Sequence, residues 1–501
     1  MSAPISATRR LINASLSLVL LLAIVTSTSP AHADQFETIR NRLRKAVQEE
    51  KVPSLAVAVA KDRQIIWEEA FGWADLERQL PATPQTMYSL ASISKPITAT
   101  ALMLLVQQGK VDLDQPANKY LGSVPLVARV GHADNATVRR VANHTAGLPL
   151  HYQFFYADES AVPPPFEETL RRYGNLYTIP GRRHHYSNLG YGVLEHIVSV
   201  VSGQPFAQFL HEQVCVPLDL PRMAVGVPEQ FADQQALRYD HQRRPIPPYT
   251  FDHPGASAVY SSVHDLCRFG MFHLKDHLND QKPILTDASI DAMQDPAQFG
   301  YGIGWGVGRN AQGYSLVSHT GGMPGVSSTL ILVPAQDVCV TVLTNTGSSL
   351  PGGVADSILK ILLPPREDPA PTDPHEKPDA DPEPAQELTD LVGLWKGQID
   401  TYHGPQSLEL DIKPSGDVHV RLGKELWTLL NDARVQQGWL RGRFLGEIHT
   451  DDARRQPHYV HLELRLREGV LGGAAIAITK PAHRTAGAVS YWTALRPEKP
   501  K

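Results

Sequence analysis

The chain has 501 residues, with 47 Lys and Arg against 52 Asp and Glu and a formal net charge of −5. That length fits two or three domains rather than one. A mildly acidic balance without a long basic run or an aromatic-interleaved basic strip excludes a nucleic-acid partner. Cys215, Cys267 and Cys339 are too few for a disulfide framework and lack metal spacing; they read as small core residues, although one pair could form.

In chain order, Arg9 and Arg10 precede the apolar "LINASLSLVLLLAIV", and "STSPAHA" then ends in Ala31-His32-Ala33. This predicts a signal peptide over residues 1–33, cleaved before Asp34, hence a secreted or periplasmic protein with no stable membrane span after cleavage. Phe36, Ile39, Leu43, Ala46 and Val47 recur at helical spacing and predict an amphipathic helix over 35–50. "SLAVAVA", a polar "KDRQ" turn and "IIWEEAFGWA" predict a hairpin. "MYSLASISKPITATALMLLVQQGKVDL", residues 87–113, predicts a helix that starts near Ser92 and stops at Gly109.

Residues 115–265 mix short helical patterns with many Pro and Gly breaks, which predicts a mainly helical insert with long loops. Strand patterns return in "YGIGWGV", "YSLVSH", "SSTLILV" and "VCVTVLT", followed by a closing helix in "GGVADSILKILL". Residues 364–387 are rich in Pro, Asp and Glu and predict an extended linker. Residues 388–501 alternate apolar and polar around turn residues, which predicts an antiparallel, barrel-like β domain.

Chemistry is suggested at three places. Ser92 and Lys95 are three apart, so on a helix the amine can approach the hydroxyl. Ser92 also sits at the helix start, where unpaired N–H groups and the dipole favour a developing oxyanion. In apolar surroundings the Lys95 amine would lose its proton easily and become a base. The bland alternative is a capping serine with a lysine that reaches out to solvent. Tyr186-Ser187-Asn188 stand in a turn before an apolar run; a phenol can relay protons and an amide can hold a carbonyl, although Asn and Ser are also ordinary helix caps. His319-Thr320-Gly321-Gly322 end a strand, where glycines let a substrate backbone pass and a free N–H can complete an oxyanion hole; the alternative is a glycine hairpin with a surface histidine. His184-His185 lacks further ligand spacing, so no metal is expected. The loop carrying His151, Tyr152, Phe154, Phe155 and Tyr156 either lines the cleft or packs on the helical region.

The ordered set S-I-S-K, Y-S-N and H-T-G-G resembles the serine β-lactamase and penicillin-binding protein superfamily, whose class A signature is S-x-x-K, S-D-N and K-T-G. Tyrosine in the second motif resembles class C β-lactamases, D-alanyl-D-alanine carboxypeptidases, D-aminopeptidases and family VIII esterases. "NHTAGLP" (143–149) and "PGRRHHYSNLGYG" (180–192) look like further stretches of the same family, and the resemblance spans roughly residues 35–365. It implies an α+β fold: an antiparallel sheet flanked by helices, with a mainly helical subdomain, over residues 34–363. The C-terminal part more weakly resembles lipocalin-like β domains. Ser92 would be the acylated nucleophile, with Lys95 and Tyr186 sharing base and acid duty in an order left open. Asn188 would bind the acyl-side amide or carbonyl, and the oxyanion would lie between the Ser92 N–H and a main-chain N–H near Gly322.

His319 stands where β-lactamases usually carry lysine, which implies weaker selection for substrates bearing a carboxylate there and favours esters, amides or N-terminal D-residues. The expected activity is an exported serine hydrolase acting on small-molecule or peptide esters and amides without a cofactor. The alternatives are a β-lactamase, a D,D-carboxypeptidase, or a penicillin-recognising module without turnover. The oligomeric state is not legible.

Overall fold

The computed structural model describes residues 35–296, 299–365, 387–480 and 487–498. The predicted signal segment and most of the predicted linker lie outside the described residues. Helix α1 (Glu37–Gln48) buries Ile39, Leu43 and Ala46, the face its periodicity marked. The hairpin is β1 (Ser54–Lys61) and β2 (Gln64–Asp75), and a short β3 (Leu80–Pro81) pairs with β2. Helix α2 (Ser94–Gln107) follows the hairpin, and α3 (Asn188–Ser202) and α4 (Val263–His273) belong to the helical region. The sheet is completed by β4 (Gly306–Arg309), β5 (Ser315–Met323), β6 (Val326–Val333) and β7 (Val338–Thr344), before α5 (Leu350–Leu362). Only the end of "YGIGWGV" is strand; of the residues before β4, Tyr301 reaches His319 and Trp305 packs in the core on Phe269 and His273.

The sheet order is β4-β5-β6-β7-β1-β2-β3, with every pairing between these strands antiparallel. Leu55, Val57 and Val59 of β1 face α1 and α5, whereas Ala56, Ala58 and Ala60 face the core shared with α2 and α4. Burial on both faces explains why β1 is continuously apolar rather than alternating. Between α2 and α4 lie the short helices and long loops of the helical region. The three cysteines are buried and free.

The described residues between 387 and 498 form an antiparallel sheet in which Thr428–Leu429 is one end strand and Asn431–Gln436 the other. Only Leu430 separates these ends in the chain, so the sheet is a nearly closed barrel. Its outer face docks on the first domain. Tyr152 and Gln153 pair with Ala488 and Gly487 as an added strand, and the Tyr177 ring lies 5.8 Å from Trp492 while its hydroxyl donates to the Ser490 carbonyl at 2.9 Å. Arg455 Nη2 donates to the Phe154 carbonyl and to Glu159 Oε2, both at 2.7 Å. The aromatic loop packs on the helical region in part, Phe154 and Tyr156 lying against Tyr249 and Phe251, while Tyr152 joins the barrel.

Candidate active site

Ser92 is the middle residue of a 3-10 turn, Ala91–Ile93, that runs into α2. Ala91 takes a left-handed φ of 49°, a conformation costing about 1–3 kcal/mol for a non-glycine residue. The turn is tied down on several sides. Ser94 Oγ donates to the Ala91 carbonyl at 2.7 Å and accepts from the Val259 N–H at 3.0 Å. Ser328 Oγ donates to the Leu90 carbonyl at 2.8 Å. Residues Ser94 to Leu105 of α2 are all buried, so the helix runs through the core and Lys95 has no path to solvent.

Lys95 Nζ has three neighbours: Asn188 Oδ1 at 2.8 Å, the Ala256 carbonyl at 2.9 Å and Ser92 Oγ at 3.2 Å. Burial holds its pKa well below the usual lysine value. A neutral amine has two N–H donors and one lone pair. The two carbonyl-type oxygens can only accept, so they claim both N–H groups, and the lone pair is left for the Ser92 O–H. Sequence reasoning did not find the Ala256 carbonyl, because a main-chain acceptor leaves no mark on residue type.

Tyr186 stands near Ser92, and Lys95 Nζ lies 4.9 Å from its ring centre. Burial raises the pKa of this phenol, so it keeps its proton. Ser92 and Tyr186 nevertheless remain partly exposed, which leaves the serine open to a reactant. Asn188 begins α3 with Ser187 as its cap, the Ser187 hydroxyl accepting from the Gly190 N–H at 3.0 Å.

The turn before α3 is held by His144. Its carbonyl accepts from the His185 N–H at 2.7 Å and its Nδ1 from the Ser187 N–H at 3.1 Å, bracketing Tyr186 from both sides. Its ring packs 4.4 Å from that of Tyr186, and its backbone is left-handed, with φ 62°. Burial keeps the imidazole neutral, reinforced by nearby His184, Lys95 and His319. "NHTAGLP" was legible as a motif, but nothing in it said what the histidine would hold.

His319 is buried on β5 rather than at the surface. Its Nδ1 lies 2.7 Å from the Thr320 carbonyl, which can only accept, so Nε2 is left to accept from the Tyr301 hydroxyl at 2.9 Å. Burial and the Lys95 amine push its pKa down to about 3. Tyr301 and Tyr191, whose hydroxyl donates to the Ala142 carbonyl at 2.7 Å, complete this wall. Neither was singled out from the sequence, because isolated tyrosines carry no spacing signal.

The glycines that follow differ from one another. Gly321 is buried against the Ser92 turn, where an added Cβ would lie 2.1 Å from the Leu90 carbonyl oxygen. Gly322 is exposed, and an added Cβ would meet nothing within 4 Å. β4 pairs with β5 only as far as Ser318, so the β4 side of residues 319–322 is an open edge beside Ser92.

Among the described residues, His151, Asp252 and His253 form the one cluster of three metal-type donors, all within 4.8 Å. Asp252 is already engaged there by His253 Nδ1 and by Thr169 Oγ1, the latter at 2.8 Å, as befits a buried carboxylate–histidine pair. His184 and His185 do not join it. No helix among the described residues is long and apolar enough to cross a membrane.

Similar proteins carry the same fold. The chain is 27% identical to penicillin-binding protein 4* of Bacillus subtilis over 55% of its own length. It is 24% identical to the mitochondrial serine beta-lactamase-like protein LACTB of Mus musculus over 65% of its length and 79% of that protein. It spans 64% of the length of the Bacillus protein and of the Staphylococcus aureus protein flp. An octameric penicillin-binding protein homologue from Pyrococcus abyssi superposes with a TM-score of 0.57 at 21% identity, covering 91% of this chain and 99% of that one. A class C beta-lactamase from Rhodobacter sphaeroides gives 0.54 at 24% identity, over 67% of this chain and 99% of its own. Residues 39–363 match the Beta-lactamase family, and the chain belongs to that family.

Proposed function

We propose that the protein is an exported serine hydrolase that cleaves esters or amides, D-amino-acid peptides among them, through a covalent acyl-Ser92 intermediate. The observation that carries this reading is the Lys95 amine, stripped of solvent and with its lone pair left for the Ser92 hydroxyl. Ser92 attacks the carbonyl carbon as its proton passes to Lys95. The oxyanion is received by the Ser92 N–H and a main-chain N–H near Gly322. Collapse breaks the bond to the leaving group, which takes a proton from the Tyr186 hydroxyl, and the Lys95 ammonium restores that proton. Water then repeats the sequence on the acyl-enzyme. Asn188 spends its Oδ1 on Lys95, which leaves its amide N–H groups for a substrate carbonyl.

Neutral His319 supports neutral esters and amides over substrates anchored by a carboxylate at that point. The test is a screen of short nitrophenyl esters, D-aminoacyl anilides and a chromogenic cephalosporin, with mass spectrometry of the peptide containing Ser92. Sustained turnover with an acylated Ser92 is expected, and Ser92→Ala should abolish both in a folded protein. Activity surviving that substitution would refute the assignment. A burst without steady state would indicate a penicillin-recognising module, and strong preference for the cephalosporin a β-lactamase. Export is checked by N-terminal sequencing of protein expressed in a bacterium with its leader, where Asp34 is the expected first residue.

A further inference from the structure

The outer face of the barrel and the turn carrying Tyr186 enclose a pocket of about 420 Å³. Leu150 and His185 line it from the catalytic domain, and Arg434, Arg441, Arg443 and Ile476 are among the barrel residues opposite. His185 directly precedes Tyr186. Leu150 follows Pro149, whose carbonyl accepts from the Ser187 hydroxyl at 2.7 Å, so the pocket adjoins the turn that presents the tyrosine.

The charges in this pocket do not cancel. Glu463 Oε1 lies 3.3 Å from Arg441 Nε, and its other oxygen lies 3.7 Å from His185 Nε2. Asp432 lies 3.1 Å from Arg443 Nε. Arg434 is exposed and has one hydrogen bond, from Nη1 to the Asp432 carbonyl at 3.1 Å, and its charge meets no carboxylate among the described residues. Three guanidiniums thus face two acids, over a floor that includes the alkyl side chains of Leu150, Ile476 and Ile478. Planar, weakly hydrated guanidinium groups bind carboxylates in bidentate fashion, and apolar walls beside them suit an alkyl chain.

We propose that this pocket receives a carboxylate carried at the far end of the substrate, making the C-terminal domain a specificity element for acid-bearing esters or peptides. The proposal rests on the hydrolase reading. It also gives the barrel a reason to dock where it does: His319 supplies no cation at the strand edge, and the arginines of the second domain supply one beside the turn that carries Tyr186.

The test compares kcat/KM for nitrophenyl half-esters of adipic to sebacic acid with their methyl-capped neutral counterparts, in the full-length protein and in an R434Q/R443Q variant. At least one half-ester is expected to be preferred by about tenfold. That ratio should fall by about fivefold in the variant and in about 0.5 M salt. Half-esters matched by their neutral counterparts at every length, or a preference that survives the variant, would overturn the proposal. Labelling of Ser92 by a fluorophosphonate separates the two readings. Labelling and neutral-ester turnover without acid preference would sink the pocket alone. If Ser92 is neither labelled nor turns over any ester, the hydrolase reading fails, and calorimetric binding of adipate to wild type but not to the variant then decides the pocket.

Discussion

Replacing each of two adjacent glycines by alanine separates packing from catalysis at the strand edge. A methyl group on residue 321 would sit 2.1 Å from the Leu90 carbonyl oxygen, 2.2 Å from Ser328 Oγ and 3.1 Å from Ala91 Cβ. Carbon–oxygen contacts settle at about 3.3 Å, so β5 and the Ser92 turn must part by about 1 Å. Leu90 is main chain and cannot yield without carrying Ser92 with it, and the Ser328–Leu90 hydrogen bond is lost in the same movement. Overpacking of this kind costs about 1–3 kcal/mol, and an ångström of misplacement at the reacting centre costs about 10²-fold in rate. Gly321→Ala should therefore lower kcat by about two orders of magnitude with a measurable loss in urea stability. Gly322→Ala meets nothing, so its stability should stay within about 0.5 kcal/mol, and any effect should fall on KM as the methyl crowds the bound substrate. Steady-state kinetics on a neutral ester, normalised by fluorophosphonate titration of active serine, reads both. A Gly321→Ala enzyme within about threefold of wild type in kcat would refute the argument that β5 sets the position of the Ser92 turn.

His144→Ala removes the acceptor for the Ser187 N–H and should cost about 1–3 kcal/mol, with a larger fall in kcat than in KM. His144→Asn keeps an acceptor and tolerates the left-handed backbone, so it should recover most of that loss; equal damage from both would remove the bracketing role. His319→Lys introduces a permanent cation and should raise the kcat/KM ratio of a carboxylate-bearing β-lactam to a neutral ester by about tenfold, read with a chromogenic cephalosporin. The Lys95 pKa is depressed by burial, so the amine gives up its proton at lower pH than a free lysine and regains it only as pH falls through that lowered value. The kcat/KM profile should thus be flat near neutrality and fall toward acid; a profile that rises only near the ordinary lysine pKa would show that Lys95 is charged in the working enzyme.

Much of the fold was legible because each element carried its own periodicity. The α1 stripe, the continuously apolar β1 and the strand runs of β5, β6 and β7 needed no outside information. The three motifs marked Ser92, Lys95, Tyr186, Asn188 and His319, which the fold gathers around one cleft. The groups that were not legible act through main chain or through distance. The Ala256 carbonyl and the His144 bracket depend on chain segments brought together only by packing, and neither changes residue type in a recognisable way. Gly321 and Gly322 are identical letters with opposite surroundings. Only part of the aromatic loop's surroundings was legible, because Tyr152 and Gln153 pair with a barrel strand more than 300 residues away in sequence.

Three groups that would carry or readily accept a proton in water are pushed toward their neutral forms around Ser92: Lys95, His144 and His319, each by burial first. Their charging is also mutually exclusive, since a proton on Lys95 would disfavour one on either histidine and a proton on His319 would disfavour one on His144. Such a cleft has little fixed positive charge with which to hold an anionic ground state, so its power to stabilise a developing oxyanion must come from oriented N–H dipoles, which act on charge as it forms. A neutral site of this kind selects weakly among acyl groups by charge. Discrimination by charge then has to be supplied from beyond the Ser92 turn, and among the described residues the barrel's arginines are placed beside Tyr186 to supply it. On this reasoning the docked second domain is part of the substrate's environment, and changing the acids and arginines of its outer face should move substrate preference without moving the chemistry at Ser92.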